Sequence, residues 1–509
     1  MSNSVSNNKR IAKNTLFLYM RTIIIMLVSL YTSRVVLQVL GETDFGIYNV
    51  VGSIVVLFSF FNYALSTATQ RFLSFYIGQN DIKRVADVFS MSITSYIFII
   101  IIIVFFAETI GLWFLNYQMN IPSERMDSAN LVYQMSILVF CVKILRVPYQ
   151  SSLIAYEKMD GYAYISLLEA ILSLATVYFL YIIDVDKLIL YALTILLVAC
   201  GINLAYYIYC KKNFTTCNYK MFWDKFLFFK LTSFSGWSML GGASNVVSQQ
   251  GLSVIVNIFT SVVVNAALGI ASTVASAVNA FVSNFQTAFV PQLVKNYANE
   301  NKGYFLQLVM RSSRYSFYLI FIIGLPIIFY MEDILKIWLV DVPKFSVEFT
   351  QLMLIYCMID ALSGPLWYSV QATGTIKNYQ IIMSAFIILN LPVSYLILKS
   401  GFSPIYAIFA RVVINFIVHF VRLLYLGKLI EFPCLLYIKD VMFNTFIITV
   451  VSIPLLYYIH SYKTDNFLLT LSFLLLSSLT NIVIVLFLGI KKDERALIFN
   501  SVKKYFYEK

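Results

Sequence analysis

A chain of 509 residues that is 60% hydrophobic and 12% charged carries about half the charge of a typical soluble domain. Its mean hydropathy of +0.80 and its apolar runs of about 20 residues, recurring to the end, exclude a soluble protein with one anchor. They also exclude a β-barrel, which would show short alternating segments.

In chain order, MSNSVSNNKRIAKN is polar and basic, and its first eight residues read as a disordered tail. The apolar run that follows, about 25 residues, is too long for a signal-peptide core. Fourteen spans are predicted: 14–39, 45–69, 88–107, 129–155, 162–183, 188–209, 231–257, 262–290, 315–331, 349–373, 378–398, 403–421, 441–459 and 466–490. No connection is much longer than about 20 residues, so no soluble domain is inserted.

With a cytoplasmic N-terminus, the outer segments hold only Arg125, Lys187, Lys336, Lys344, Lys399 and Lys463. Arg21, Arg34, Lys143, Arg146 and Arg411 lie within spans, and all other Lys and Arg fall on the cytoplasmic side. This asymmetry predicts both termini in the cytoplasm. The net charge of +12 is then met by anionic bilayer lipid, with no nucleic-acid partner.

The sequence also repeats internally. RFLSFYIGQND from Arg71 aligns with PQLVKNYANEN from Pro291, an offset of 220. VPYQSSLIAYEKMDGY from Val147 aligns with GPLWYSVQATGTIKNY from Gly364, an offset of 217, matching Pro148 to Pro365 and Tyr162 to Tyr379. The expected organisation is a six-helix lobe over 1–210, a second over 211–427, and two additional spans with a cytoplasmic tail over 428–509. Six spans is an even number, so the lobes share one orientation, with substrate expected between them.

Charges inside the spans are the main functional signal, because a Lys or Arg at the bilayer centre costs about 2.5–3.5 kcal/mol. Lys143 and Arg146 lie near the middle of the fourth span and three residues apart, hence on one helix face. Folding the fourth and fifth spans into a hairpin puts Glu169 at the depth of Arg146 and predicts that they pair. Lys143 has no local carboxylate; its repeat equivalent is Asp360, a candidate partner in one state of the transport cycle. Arg21, Arg34 and Arg411 lie nearer the span ends, where snorkelling is the ordinary explanation. If they face a cleft, five cations oppose Glu169 and Asp360, and a diphosphate suits that surplus: Arg binds it with paired donors and Lys as a point charge. Glu169 and Asp360 are the candidates for charge pairing or ion coupling.

Polar residues add a candidate sugar lining. Asn62 lies on the second span, Asn245 and Gln249 on the seventh, Asn279 and Gln286 on the eighth. Interhelical hydrogen bonding is the alternative use for such residues. No catalytic constellation, phosphate-binding glycine loop or large outer loop is present, so an enzyme is not expected. Glu42, Asp44, Glu124 and Asp127 read as solvated acidic residues. The six cysteines show no metal spacing, and neither a metal nor another cofactor is expected.

LGETDFGIYNVVGSI (40–54), ATQRFLSFYIGQND (68–81) and VPYQSSLIAYEKMDGYAYISLLEA (147–170) resemble the Wzx-like O-antigen and capsule repeat-unit flippases. These form the polysaccharide-transport branch of the multidrug/oligosaccharidyl-lipid/polysaccharide (MOP) exporter superfamily, which also holds the MATE transporters. LG..DFGIY and RF.S...G..D carry the likeness, which extends over essentially the whole chain; SVVVNAALGIAS in the second half keeps only a loose echo.

The resemblance implies an all-α polytopic membrane protein of about 14 transmembrane helices: two pseudo-symmetric six-helix lobes in a V, plus two extra helices that could form a lipid-tail groove. It implies a cargo of oligosaccharide on undecaprenyl diphosphate, moved to the outer leaflet of the bacterial inner membrane for surface polysaccharides such as O-antigen, lipopolysaccharide or capsule. H+ or Na+ are its candidate coupling ions; a polymerase and a chain-length regulator of the same pathway are its candidate partners. An ion-coupled drug or cation antiporter of the same superfamily is the rival, and would favour carboxylates in the cleft. A membrane polymerase would need a large outer loop with catalytic Arg or His.

Overall fold

The computed structural model describes residues 14–495, apart from 29–30, 33–34, 37, 41–43, 45–46, 49–50, 52–58, 119–120, 183–184, 261, 340–341, 463–466 and 492–493. Its long helices, in chain order, are α1 (Asn14–Val28), α2 (Ser59–Gly78), α3 (Ile82–Tyr117), α4 (Met126–Ala155), α5 (Met159–Ile182), α6 (Lys187–Asn213), α7 (Lys225–Phe259), α8 (Val262–Ala298), α9 (Lys302–Phe329), α10 (Ser346–Thr373), α11 (Lys377–Lys399), α12 (Pro404–Ile430), α13 (Cys434–His460) and α14 (Leu469–Gly489). A short amphipathic helix, Met331–Trp338, follows α9.

Each expected span overlaps one of these helices, and parts of the first two spans, 14–39 and 45–69, lie outside the described residues. Among the described residues, eleven are long and apolar enough to cross a membrane: α3–α6 and α8–α14. The other three have separate reasons. α1 is described only over a short apolar stretch, while α2 and α7 carry many Ser, Thr, Asn and Gln residues. Those polar residues lower mean hydropathy without shortening the helix; α7 has 35 residues.

The chain forms two compact units. The first holds residues 1–243 with 287–301 and 371–380. α4 is its centre: Tyr133, Ile137, Ile144 and Val147 are buried against α2, α3 and α6. A π turn over Ala107–Gly111 frees carbonyls from the regular ladder, and Tyr133 donates to the Ala107 carbonyl at 2.9 Å. At the α4 and α6 starts, Arg125 bridges Asp44 (2.5 Å) and Asp186 (2.7 Å). Asp186 also accepts from the Leu188 amide at 3.0 Å, capping α6. Burial acts to raise the Asp186 pKa, but the bonds from Arg125 and the helix amide outweigh it and hold the carboxyl below its ordinary 3.8. Asp44 is thus an ion-pair partner rather than a solvated acid.

The second unit holds 244–286, 302–370 and 381–509. Here α13 and α14 are built into the helical bundle through α9. Tyr318 donates to Asn444 (2.6 Å) and to the Gly489 carbonyl (2.9 Å), which a π turn at the end of α14 leaves available. Glu494 takes Arg311 at 2.9 Å and the buried Arg314 at 3.2 Å.

The internal repeat is written into the backbone. Asn80 (φ 58°) and Glu300 (φ 56°) are left-handed at an offset of 220; Glu157 (φ 61°) and Gly374 (φ 81°) are left-handed at 217. Asn80 and Glu300 close their helices with matching bonds: Asn80 N to Ile77 O and Asp81 N to Tyr76 O, then Glu300 N to Tyr297 O and Asn301 N to Asn296 O. Pro148 and Pro365 lie inside α4 and α10. Each proline carbonyl accepts the hydroxyl four residues on, Ser152 at 2.8 Å and Ser369 at 2.7 Å.

Candidate functional site

α4 presents Lys143 and Arg146 on one face, half-buried, beside α5. Arg146 Nη1 donates to Glu169 Oε2 at 2.9 Å, the pairing expected from the hairpin register. Its guanidinium also lies 5.5 Å from the Tyr206 ring centroid, and its Nε is buried without a hydrogen-bond partner. Among the described residues no carboxylate lies within ion-pair distance of Lys143; Glu169 and Arg146 are the charges that act on it. Arg21 of α1 stacks over the Tyr162 ring at 4.6 Å. The Tyr162 hydroxyl accepts from Gln150, again on α4, at 3.4 Å. Lys143 and Arg146 of α4 thus share the field of Glu169, and Arg21 reaches the same helix through Tyr162 and Gln150, with tyrosine faces beneath Arg21 and Arg146. Such a group can hold an anion with more than one negative charge.

The second unit contains a separate polar set. Arg411 lies 4.7 Å over the Tyr356 ring, with Nη1 3.7 Å from Met353 Sδ. Within this unit Asp360 pairs with Arg422 at 3.8 Å. The sequence places Arg422 among the cytoplasmic charges, because it follows the end of the twelfth predicted span. α12 in fact runs to Ile430, which brings Arg422 beside Asp360. Neighbouring Ser363 hydrogen-bonds the buried His419 Nδ1 at 2.8 Å.

The candidate lining residues divide by burial. Asn62 and Asn279 are half-buried, and Asn245 and Gln249 are exposed. Gln286 is 8% exposed, and its amide donates to Ser316 Oγ (3.3 Å) and the Ala361 carbonyl (3.5 Å), with Gly364 against it. It ties α8 to α9 and α10. Arg34 lies outside the described residues.

Sequence reading missed the functions of Arg71 and Glu157. Arg71 Nε and Nη2 donate to the Gln371 and Ala372 carbonyls at 3.2 and 3.0 Å. Glu157, its side chain 1% exposed, accepts from Lys295 Nζ at 2.6 Å and Gln292 Nε2 at 2.7 Å. The signal was available: both residues lie in the segments that revealed the repeat.

The family model for polysaccharide biosynthesis proteins matches residues 11–297, more than half of the chain. No curated protein matches. Similar solved structures include an outward-facing multidrug resistance MATE family transporter of the MOP superfamily, with a TM-score of 0.74 at 12% identity. Another is MATE in complex with MaD3S, with a TM-score of 0.71 at 12% identity. A third is a MOP superfamily transporter from Pyrococcus furiosus, described as having a binding pocket of reverse polarity that suggests a different function, with a TM-score of 0.72 at 13% identity. Each alignment covers 84% of this chain and 96% of the other. The chain belongs to the polysaccharide biosynthesis protein family, and its fold is that of the MATE-like transporters of the MOP superfamily.

Proposed function

We propose that this membrane protein is a flippase, moving oligosaccharide repeat units on undecaprenyl diphosphate from the cytoplasmic to the outer leaflet of a bacterial inner membrane by alternating access. Both termini are cytoplasmic in this reading. The observation that carries it is Lys143, a mid-span cation beside Arg146 with no carboxylate at ion-pair distance among the described residues, while the nearby Glu169 is taken by Arg146. An intramembrane charge normally finds a partner within the protein; this one suits a partner that arrives with the cargo. A diphosphate supplies that charge, and Arg21 and Arg146 retain donors for it.

The rival antiporter reading needs free carboxylates. Glu169 and Asp360 are instead each paired with an arginine, which favours an anionic headgroup. The Pyrococcus transporter, described as having reverse pocket polarity, offers a parallel within the same fold.

Deleting the gene is expected to make undecaprenyl-linked oligosaccharide accumulate in the inner leaflet. Complementation with the wild-type chain should clear it, and Lys143→Ala should not. Full clearance by the Lys143→Ala protein would remove Lys143 from the substrate path.

A further inference from the structure

We propose that Arg71 and Glu157 form a two-point clasp that holds the ends of α8 and α10 against α2 and α4, and that this clasp must open for cargo to enter. The inference rests on the transporter reading above, and it assigns the closing elements at what that reading makes the cytoplasmic end.

The residues come from four helix ends that the repeat makes equivalent in pairs. Arg71 is near the end of α2, Glu157 follows α4, Lys295 is near the end of α8, and Gln371 to Gly374 close α10. The repeat pairs α2 with α8 and α4 with α10. Each bond of the clasp joins one half of the sequence to the other: α2 to the α10 end, and α4 to the α8 end. Residues 287–301 and 371–380 belong to the first compact unit, whereas the rest of α8 and α10 belongs to the second. The clasp is what these end segments meet in the first unit.

The contacts are close and buried. Arg71 is 5% exposed, its guanidinium 4.5 Å from the Phe72 ring centroid and 4.8 Å from that of Phe75. Among the described residues no carboxylate pairs with it; two carbonyls at the α10 end, where the helix dipole is negative, take its donors. A Cβ on Gly374 would stand 2.6 Å from Arg71 Nη2, so glycine is required there both for the approach and for its left-handed backbone. A Cβ on Gly78 would meet the Lys295 backbone at 2.7 Å, which makes glycine the condition for α2 and α8 to touch. Glu157 occupies a left-handed position that a glutamate disfavours, and both of its oxygens are taken by α8. Its charge-assisted bonds are individually strong, but the cost of taking both charges out of water offsets much of that gain. That balance suits a contact that closes and reopens.

The test reads access to the α4 site and needs no knowledge of the cargo. In a background without the six native cysteines, Gln150→Cys places a thiol beside Tyr162. Inside-out vesicles are treated with a membrane-impermeant maleimide. Glu157→Gln and Lys295→Gln are each expected to raise the labelling rate about tenfold, the effect of weakening the closed state by about 1.4 kcal/mol. Combining Glu157→Lys with Lys295→Glu should return the rate toward the parental value. Unchanged labelling in the single variants, with normal amounts of protein in the membrane, overturns the proposal.

A second arm covers variants that fail to accumulate. Glu157→Cys with Lys295→Cys is joined by a short, reducible bis-thiosulfonate, which should stop labelling of the reporter until reductant is added. Labelling that continues through the cross-link also overturns the clasp. A clasp that behaves as described while Lys143→Ala still clears lipid-linked oligosaccharide would separate the gate from the cargo assignment.

Discussion

Lys143 and Arg146 are neighbours on one helix face, yet their removal should have different consequences. Arg146→Ala deletes an ion pair and leaves Glu169 alone in a low-dielectric setting, which destabilises the protein as well as the site. Lys143→Ala deletes a charge with no carboxylate at ion-pair distance among the described residues, so thermal unfolding in detergent should be unchanged or slightly raised while the proposed export is lost. Measuring unfolding temperature and polysaccharide export on both variants separates the two; equal destabilisation would show that Lys143 has a structural partner after all. The Arg146–Glu169 pair was legible because both residues lie on one hairpin, whose turn fixes their depth. The Asp360–Arg422 pair was not, because it joins α10 to α12 and depends on how far α12 extends. Arg71 and Glu157 look like surface charges in the sequence, and only the tertiary fold shows that they are buried.

Among the elements, the helix ends carry most of the specificity. Asp81 precedes α3 and accepts the Arg84 amide at 3.0 Å, so Asp81→Ala should cost about 1 kcal/mol, readable as a lower unfolding temperature. Arg125, Asp44 and Asp186 tie the start of α4 to the start of α6 and to the segment after α1. Because the Asp186 pKa is depressed on folding, its contribution is complete above its ordinary value of about 3.8. It is lost as pH falls through the lower folded value. Asp186→Asn should therefore reduce stability at neutral pH and flatten its acid dependence in that window, as followed by unfolding at several pH values.

The spans themselves were readable from hydropathy, since length and apolar content set them. Two of the three exceptions, α2 and α7, hold polar residues that made them candidates for a lining. Polar residues on a helix weaken the hydropathy signal used to find it. The motif residues Asp44, Gly78 and Asp81 have structural roles: an ion pair, a close approach and a cap. This explains why such motifs identify a fold without naming its cargo.

For the whole molecule, the last two helices are an integral part of the second unit. Glu494 closes onto Arg311 and the 3%-exposed Arg314 after α14 has ended. Glu494→Ala leaves a buried guanidinium without its counter-charge, a loss of about 3–5 kcal/mol. It should sharply reduce the amount of folded protein recovered from membranes. Glu494→Asp should recover part of it, and a neutral outcome for both would mean that water reaches Arg314.

The matched left-handed turns show that one bend can be made by different residues. Gly374 holds its bend without strain, whereas Glu157 holds the equivalent one under strain and uses the side chain to grip. At equivalent bends, one residue gives only its backbone and the other adds a grip through its side chain.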